Sequence, residues 1–289
     1  MTVAGGSWSR PCQKHVETID MDTDNAFRFA AFNIWGDFFG NPTHERDLVH
    51  AAILLGHNPD FIGLQEMTPN FWKSRLVDAL AEEYEIIGRG LNPYGEDAAD
   101  PVFVRRSRFD ITARGAVWFC PELDKSKGAV WAVATDKKSG RRLLVFASHF
   151  WWQQKGPADD YVRLLNARKL HSEMTALAAQ FDAAIVGGGD LNAPNTSSAL
   201  SFLLAAGWED GQQSAPETDP RATWHGDPVR DNEGVYRGVP PEKAAKTQWL
   251  DHVFYAPQGV KPLRFAVDTS QQALDVSDHS PLVFDFELR

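Results

Sequence analysis

Short apolar segments alternate with helix-forming segments along almost the whole chain, which restricts the sequence to a small set of folds. The apolar segments are rich in β-branched and aromatic residues, a pattern typical of buried strands. Strands are predicted at residues 27–35, 60–65, 84–88, 101–104, 111–118, 129–135, 142–148, 183–188, 251–255 and 282–286. Helices are predicted at residues 45–55, 70–82, 159–180 and 197–206. Strands and helices interleaved in this way predict one α/β domain.

Two local signals help to set the boundaries of these elements. Thr68 followed by Pro69 predicts the N-cap and the first residue of the helix at 70–82. The tripeptide Lys138-Ser139-Gly140 predicts a turn, so the strands on either side of it are expected to pair as a hairpin.

Two segments depart from the alternation. Residues 1–26 are polar, and we expect them to form a partly flexible N-terminal arm. Residues 209–248 are rich in glycine, proline and charge, and a segment of this length without regular structure in a compact domain is usually functional or flexible. We therefore expect a single domain over residues 27–289, with a loop insertion at about 209–248 near the functional site.

The charge balance limits the classes of binding partner. The chain of 289 residues has a formal net charge of -10, and lysine and arginine never occur in a run longer than two. Tight binding to nucleic acid without sequence preference usually needs a basic face that displaces counterions. The composition therefore disfavours nucleic acid as a partner, although net charge leaves a local basic groove open.

The sequence also bears on location and stabilisation. No segment approaches the roughly 18 uninterrupted apolar residues of a membrane helix, so no membrane span is expected. The first residues lack the apolar region of a secretory signal, so we expect a cytoplasmic protein unless a leader was removed. Two cysteines cannot form a disulfide scaffold, and the oligomeric state is not specified by the sequence.

Polar residues that can bind metals or transfer protons occur repeatedly at the ends of the predicted strands. A buried carboxylate needs a partner or an ion, so this repetition is difficult to explain by folding alone. Each residue has an ordinary structural explanation by itself, such as a helix-start carboxylate, a core histidine or a turn former. All of these explanations would have to hold together for the following set: Asn33, Glu66, His149, Asp190, Asn192, Asp251, Asp278 and His279.

The residues of this set stand in six short motifs along the chain. The motifs are FNIW at 32–35, LQE at 64–66, SHF at 148–150, GGDLN at 188–192, LDHVF at 250–254 and SDHSPL at 277–282. They resemble the endonuclease/exonuclease/phosphatase superfamily, which has the deoxyribonuclease-I-like fold. Their order and spacing agree with that superfamily over about residues 27–288, and GDLN together with SDHSP is a specific pair. The resemblance implies an α/β four-layer sandwich of two packed, mainly antiparallel β-sheets flanked by helices.

The resemblance implies metal-dependent hydrolysis of a phosphoester by an activated water. Glu66 would be the principal ligand of Mg²⁺, or of Mn²⁺ or Ca²⁺, and Asn33 and Asp278 would help to hold the metal or its waters. One or two ions remain open, as does the choice between a phosphomonoester and a phosphodiester substrate.

The resemblance also implies roles for the remaining motif residues. Asp190 would orient and deprotonate the attacking water or hold a second ion, and Asn192 would donate to a phosphate oxygen. His279 would contact the phosphate or act as the general base, with Asp251 fixing its tautomer. His149 would contact the phosphate or protonate the leaving oxygen. The sequence does not decide whether Asp190 or His279 takes the proton.

Four further residues are candidates for binding the substrate. Trp151 and Trp152 lie two and three residues after His149, and one of them is expected to stack on the substrate while the other packs against the protein. Arg163 either steers a phosphate or forms a salt bridge on its helix. Trp224 lies in the 209–248 segment, where acidic residues favour a small polar substrate over a long polyanion.

Three classes of function follow from this sequence. The first is a metal-dependent phosphoesterase that acts on a small-molecule or lipid-headgroup phosphate. The second is a Mg²⁺-dependent nuclease on the same scaffold, which would need a basic track beside the site. The third is a non-catalytic binding module, which is disfavoured because every matched motif position keeps a chemically competent side chain.

Overall fold

The computed structural model of this protein describes residues 25–219, 221–238 and 248–289. The predicted N-terminal arm lies outside the described residues except for its last two positions. Ala26, the second of these, already begins the first strand and pairs with Glu287 of the last one. The two ends of the described chain therefore meet in one sheet.

The first of two large sheets has seven strands in the order β10-β14-β15-β1-β2-β4-β3. Its β1–β2 and β10–β14 pairs are parallel, and its other neighbours are antiparallel. The strands are β1 Ala26–Asn33, β2 Phe61–Gln65, β3 Tyr84–Ile87, β4 Val102–Arg105, β10 Glu217–Thr218, β14 Val260–Val267 and β15 Leu282–Leu288.

The second large sheet has six strands in the order β5-β6-β7-β8-β13-β9. Only its β7–β8 pair is parallel, and β6 and β7 form the predicted antiparallel hairpin. The strands are β5 Phe109–Trp118, β6 Gly128–Asp136, β7 Arg142–His149, β8 Ala184–Asp190, β9 Glu209–Asp210 and β13 Asp251–Tyr255. A small hairpin pairs β11 Val229–Arg230 with β12 Tyr236–Arg237.

The helices cover the outer faces of both sheets, which confirms the predicted four-layer sandwich. The inner apolar cluster contains residues of both sheets, such as Phe29 and Val145, and forms the central core. One outer cluster joins the seven-stranded sheet to α1, α2 and α6, and the other joins the six-stranded sheet to α3 and α4. The helices are α1 Asp47–His57, α2 Arg75–Ala81, α3 Pro157–Phe181, α4 Ser198–Ala205, α5 Gly211–Ser214 and α6 Gln271–Val276.

The predicted helix at 70–82 is wrong in its first half. A 3-10 turn spans Phe71–Lys73, and the α-helix begins only at Arg75, after Ser74 at the N-cap. The Thr68 hydroxyl donates to Asp37 Oδ1 at 2.5 Å, so it does not cap a helix. A local sequence signal was therefore overridden by a contact between distant segments.

The segment predicted as a loop insertion contains short regular elements among its described residues. Its part before residue 220 includes β9, α5 and β10, and β9 pairs with β13 as the edge strand of the second large sheet. None of the helices in the described parts of the chain combines the length and apolar character that a bilayer-crossing segment requires.

Candidate functional site

The pairing of the strands places most of the predicted residues at one edge of the two sheets. β1 and β2 are parallel, with Asn33 opposite Gln65, so Asn33 and Glu66 lie at the same ends of their strands. β15 runs antiparallel to β1, and its first residue Leu282 lies opposite Ala31. Asp278 and His279, which precede β15, therefore enter at this same edge.

The second sheet brings its own residues to the corresponding edge. β7 and β8 are parallel and place His149 opposite Asp190, while the antiparallel strand β13 places Asp251 opposite Asp190 on the other side. His252 follows Asp251 but points to the opposite face, as the alternation of a strand requires. There its Nδ1 lies 2.9 Å from Asp210 Oδ2, so His252 is a buried structural residue.

Asn33 joins the two sheets at this edge. Its side-chain amide donates to Glu66 Oε1 at 3.2 Å and to Asp190 Oδ2 at 3.0 Å. Asp190 Oδ2 also lies 3.4 Å from His149 Nε2 and 3.6 Å from His279 Nε2. Four strand ends thus meet around one carboxylate oxygen. Burial raises the pKa of Asp190, but the charges of His279 and His149 outweigh burial and lower it below its usual value.

His279 is held in one orientation by a buried carboxylate. Its Nδ1 lies 2.7 Å from Asp251 Oδ2, which leaves Nε2 facing Asp190. Burial lowers the pKa of His279, but three neighbouring carboxylates, of which Asp251 acts most strongly, raise it well above its usual value. The ring is therefore suited to donate a hydrogen bond from Nε2 to an anion.

Backbone strain is concentrated at this edge. Trp35, Glu66 and Asn192 have positive φ angles of 55°, 65° and 48°, a region that residues other than glycine rarely adopt. Strain of this kind persists when surrounding contacts fix it, as at functional sites. Here the Gly36 backbone amide donates to Glu66 Oε2 at 2.7 Å, and the Asn192 backbone amide donates to Asp190 Oδ1 at 2.8 Å.

Glycines in β8 allow the strands to approach closely behind Asp190. A Cβ atom on Gly188 would lie 1.9 Å from the His252 carbonyl oxygen. A Cβ atom on Gly189, whose φ is +138°, would lie 2.3 Å from the Ser148 carbonyl oxygen. The glycine run before Asp190 is therefore required by the close packing between strands.

Two buried charged residues beside His149 were missed by the sequence analysis. Lys127 Nζ lies 2.9 Å from His149 Nε2 and 3.2 Å from His149 Nδ1, and Asp100 Oδ1 lies 3.5 Å from Nδ1. Burial and the Lys127 ammonium lower the pKa of His149, but the Asp190 and Asp100 carboxylates outweigh them and raise it to about 9. The side-chain nitrogen Nδ2 of Asn192 completes this group and lies 3.2 Å from His149 Nε2.

The donor set fits a hard divalent cation. Carboxylate oxygens of Glu66 and Asp278 lie at this edge beside Asn33, whose Oδ1 accepts from the Trp35 backbone amide at 3.0 Å. The buried Asp278 Oδ1 has no hydrogen-bond partner among the described residues. The Trp224 indole donates to Asp278 Oδ2 at 3.2 Å, and burial and the Glu66 carboxylate raise the pKa of Asp278 to about 7. A carboxylate that is costly to ionise without a counter-charge is suited to a metal site.

A second set of possible ligand atoms overlaps this one. Single atoms of Asp190, Asp251 and His279 all lie within 4.8 Å of one another. The 2.7 Å contact between Asp251 and His279 Nδ1 already engages two members of this set, which indicates a hydrogen-bonded pair rather than a closed metal centre. The oxygen atoms around Glu66 are therefore the better candidate for Mg²⁺.

A cleft of about 440 Å³ opens onto these groups. Among the predicted substrate-binding residues, Trp152 and Trp224 line it, and Trp152 is 53% exposed. Trp151 does not line it and donates from Nε1 to Asp159 at 2.7 Å. The buried Arg163 does not line it either, and its guanidinium donates to the Gln153 carbonyl and lies 3.8 Å from Asp160. Its outer lining includes Trp152, Gln153, Gln154, Lys155, Trp224 and Gln248.

The fold is shared with several solved structures. An endonuclease/exonuclease/phosphatase protein of Bacteroides vulgatus is 22% identical, with a TM-score of 0.74 over 92% of this chain and 100% of its own. A mannosyl-6-phosphatase of Bacteroides thetaiotaomicron is 22% identical, with a TM-score of 0.71 over 91% and 99%. D. rerio TDP2 complexed with a single-strand DNA product is 20% identical, with a TM-score of 0.67 over 91% and 100%.

A search of the curated protein sequences finds no match to this chain. The family model described as Endonuclease/Exonuclease/phosphatase family matches residues 30–279, which includes every motif from FNIW to the histidine of SDHSPL. Members of this family are hydrolases that act on phosphoesters. The chain belongs to the endonuclease/exonuclease/phosphatase family.

Proposed function

We propose that this protein hydrolyses a phosphoester by in-line attack of a water molecule, with a divalent cation bound beside Glu66. The observation that carries the proposal is the meeting of Asn33, His149 and His279 around Asp190, with all their contacts to Asp190 Oδ2 between 3.0 and 3.6 Å. We further propose that residues 27–289 form the catalytic domain, with the 209–248 segment beside the site. Trp224 and Gln248 in the cleft support that placement.

Glu66, Asn33 and Asp278 would hold the cation. When bound, a hard cation neutralises charge on the phosphate and lowers the pKa of a coordinated water. Mg²⁺ matches the oxygen-rich donor set best, and Mn²⁺ or Ca²⁺ would be accepted by the same atoms.

The remaining groups of the site act on the water and the phosphate. Asp190 would orient the water and accept its proton, since its Oδ2 faces the cleft between two imidazoles. His279 would donate from Nε2 to a phosphate oxygen, with Asp251 holding its ring. Asn192, His149 and Lys127 would contact the opposite side of the phosphate, where His149 could protonate the leaving oxygen.

A small phosphorylated molecule is the favoured substrate. The rim of the cleft mixes Lys155 with carboxamides, and it does not continue as a basic track among the described lining residues. A nuclease is the second candidate, because one similar structure, D. rerio TDP2, is a complex with a single-strand DNA product. A non-catalytic binding module is disfavoured by the complete set of polar groups around Asp190.

Hydrolysis assays with and without metal test the proposal. The protein is expected to turn over p-nitrophenyl phosphate or bis-(p-nitrophenyl) phosphate with Mg²⁺ and to lose that activity in EDTA. Glu66→Gln is expected to raise the Mg²⁺ concentration at half-maximal activity by at least about tenfold, because it removes a charged ligand. The matched control Glu217→Gln changes an exposed residue and should leave this concentration unchanged.

Three results separate the candidates. Faster Mg²⁺-dependent cleavage of plasmid DNA than of any small phosphoester would favour the nuclease. No turnover of any phosphoester with several divalent ions would favour the binding module. Wild-type metal dependence in Glu66→Gln would contradict the assignment of Glu66.

A further inference from the structure

The outer wall of the cleft carries three carboxamide side chains that are not engaged by the rest of the described chain. Gln153, Gln154 and Gln248 all line the cleft that contains Asp190 and His279. None of their side-chain amide atoms forms a hydrogen bond with a described residue. Each carboxamide offers two N–H donors and one carbonyl acceptor to a ligand.

The backbone that carries Gln153 and Gln154 is fixed by helix α3. The Trp151 backbone amide donates to Asn166 Oδ1 at 3.0 Å, and the Lys155 backbone amide donates to Asp159 Oδ2 at 2.9 Å. The buried Arg163 donates to the Gln153 carbonyl. The side chains of Gln153 and Gln154 therefore have no hydrogen-bond partner among the described residues, while their backbone is fixed. A fixed backbone lowers the entropic cost of binding a ligand through these side chains.

The third carboxamide is fixed from the other side of the cleft. The backbone of Gln248 pairs with that of Trp224. The Trp224 backbone amide donates to the Gln248 backbone carbonyl at 2.9 Å, and the Gln248 backbone amide donates to the Trp224 backbone carbonyl at 3.1 Å. The Trp224 indole also donates to Asp278. Gln248 is thus held at a constant position relative to the proposed phosphate site.

Trp152 supplies an apolar face beside these polar groups. Trp152 is 53% exposed. The indole of its neighbour Trp151 donates a hydrogen bond to Asp159, and the ring centroids of the two tryptophans lie 6.2 Å apart. An exposed indole next to several unengaged donors and acceptors suits a ligand that has a C–H face and many hydroxyl groups.

From this wall we infer that the group esterified to the phosphate is a sugar or another cyclic polyol. This inference rests on the proposed hydrolysis and specifies its substrate. Each hydroxyl both donates and accepts, which matches the mixed donors and acceptors of Gln153, Gln154 and Gln248. A nucleobase offers fewer such groups and would leave part of the wall unpaired.

Substrates of similar size that differ mainly in their hydroxyl groups test the inference. The wild-type protein with Mg²⁺ is expected to hydrolyse mannose, glucose or galactose 6-phosphate, or myo-inositol 1-phosphate, with a kcat/KM at least about 100-fold above that for cyclohexylmethyl phosphate. Equal kcat/KM values for the polyol phosphates and the hydroxyl-free analogue would overturn the inference. Preference for thymidine 5′-monophosphate would overturn it as well.

A further experiment distinguishes a polyol phosphate in a lipid headgroup from a free polyol phosphate. Vesicles that contain phosphatidylinositol 4-phosphate present the same hydroxyl chemistry on a membrane. Faster turnover of free hexose or inositol phosphate supports a soluble ligand, and faster turnover on vesicles supports a polyol headgroup. Either result supports a polyol, provided that cyclohexylmethyl phosphate is the poorer substrate.

Variants of the wall separate specificity from stability. Gln153→Leu, Gln154→Leu and Gln248→Leu should each lower kcat/KM for the preferred polyol phosphate by about 3- to 10-fold, the effect of one lost hydrogen bond. The same variants should lower kcat/KM for cyclohexylmethyl phosphate by a smaller factor, so that the ratio of the two kcat/KM values falls. The matched control is Gln258→Leu. Gln258 is exposed in the turn after β13, at the end of that strand away from Asp251. Equal losses on both substrates would contradict the inference.

Binding without turnover provides an independent result. In calorimetric titrations of the Asp190→Asn variant, the preferred polyol phosphate should bind at least about tenfold more tightly than cyclohexylmethyl phosphate. Equal affinities would overturn the inference even if the protein proves to have no hydrolytic activity. Hydrolysis of p-nitrophenyl phosphate with no preference for polyols would leave the proposed function standing and remove only the substrate class.

Discussion

Lys127 is the residue at which the site differs most from what the motifs predict. It is buried, and its ammonium group contacts both ring nitrogens of His149. A buried ammonium without a bonded carboxylate is costly, and a bound phosphate would offset that cost. No pattern in the sequence marks it, because Lys127 lies between a turn that contains Ser126 and the first residue of β6, Gly128.

Replacing Lys127 tests this role. Lys127→Met is expected to lower kcat on p-nitrophenyl phosphate by about 100-fold, since it removes one positive group from the phosphate side of the site. Circular dichroism and the unfolding midpoint in urea should stay close to those of the wild type. The control Lys261→Met removes a surface lysine paired with Glu287 and should retain full activity. Wild-type kcat in Lys127→Met would exclude Lys127 from the site.

His50 illustrates a buried histidine that serves the fold. Its Nε2 lies 3.1 Å from the Val276 carbonyl, and its ring packs edge-on against Phe32. Burial, together with the charge of Arg46, lowers the pKa of His50 well below its usual value of 6.5. The folded protein therefore holds His50 neutral, while the unfolded chain takes up a proton below about pH 6.5.

The sign of the pH effect follows from this difference. Because the unfolded chain binds the extra proton, His50 contributes stability above pH 6.5, and this contribution is lost at about 1.4 kcal/mol per pH unit as the pH falls. Urea unfolding of His50→Gln at pH 7.5 and pH 5.5 should show a smaller loss of stability on acidification than the wild type. An equal loss in both proteins would contradict the assignment.

At the scale of elements, a buried ion pair joins β1 to β15 next to the strands that carry the site. Arg28 Nε donates to Asp285 Oδ1 at 2.6 Å and Arg28 Nη2 donates to Asp285 Oδ2 at 2.9 Å, with both residues buried. Arg28 also donates to the His57 carbonyl at the end of α1. The pair therefore fixes the packing of a helix and two strands.

Breaking this pair should destabilise the whole domain. Asp285→Asn leaves the Arg28 charge buried without its partner and should lower the free energy of unfolding by about 3–5 kcal/mol. The double variant Arg28→Met/Asp285→Leu should recover most of that loss, because no charge remains buried. Urea titrations measure both values, and a loss below about 1 kcal/mol in Asp285→Asn would contradict the role of the pair.

Elements with strong apolar patterns could be predicted from the sequence, and those shaped by distant contacts could not. β13 was predicted with its observed ends because its apolar residues lie between clear boundaries. β14 was missed because Pro262 and two charged residues interrupt its pattern, and the strand accommodates them with an irregular register between Pro262 and Arg264. α6 has only six residues and was missed as well, although Ser270 caps it.

At the scale of the whole molecule, the sequence predicts which residues meet but not how the site is completed. The family that the motifs resemble implies one site for Asn33, Glu66, Asp190 and His279, and the structure brings these residues together. The additions come from segments that carry no strand-end pattern, such as Asp100 and the glutamines of the outer wall. Their positions depend on the packing of the two sheets and of α3, which only the folded chain defines.

The central claim is that these strand ends form one hydrolytic site around Asp190. The most direct test is the Mg²⁺-dependent turnover of p-nitrophenyl phosphate by Asp190→Asn, with the exposed Asp110→Asn as a matched control. We expect kcat to fall by at least about 1,000-fold in Asp190→Asn and to stay at the wild-type value in Asp110→Asn. Wild-type turnover by a folded Asp190→Asn protein would contradict the claim.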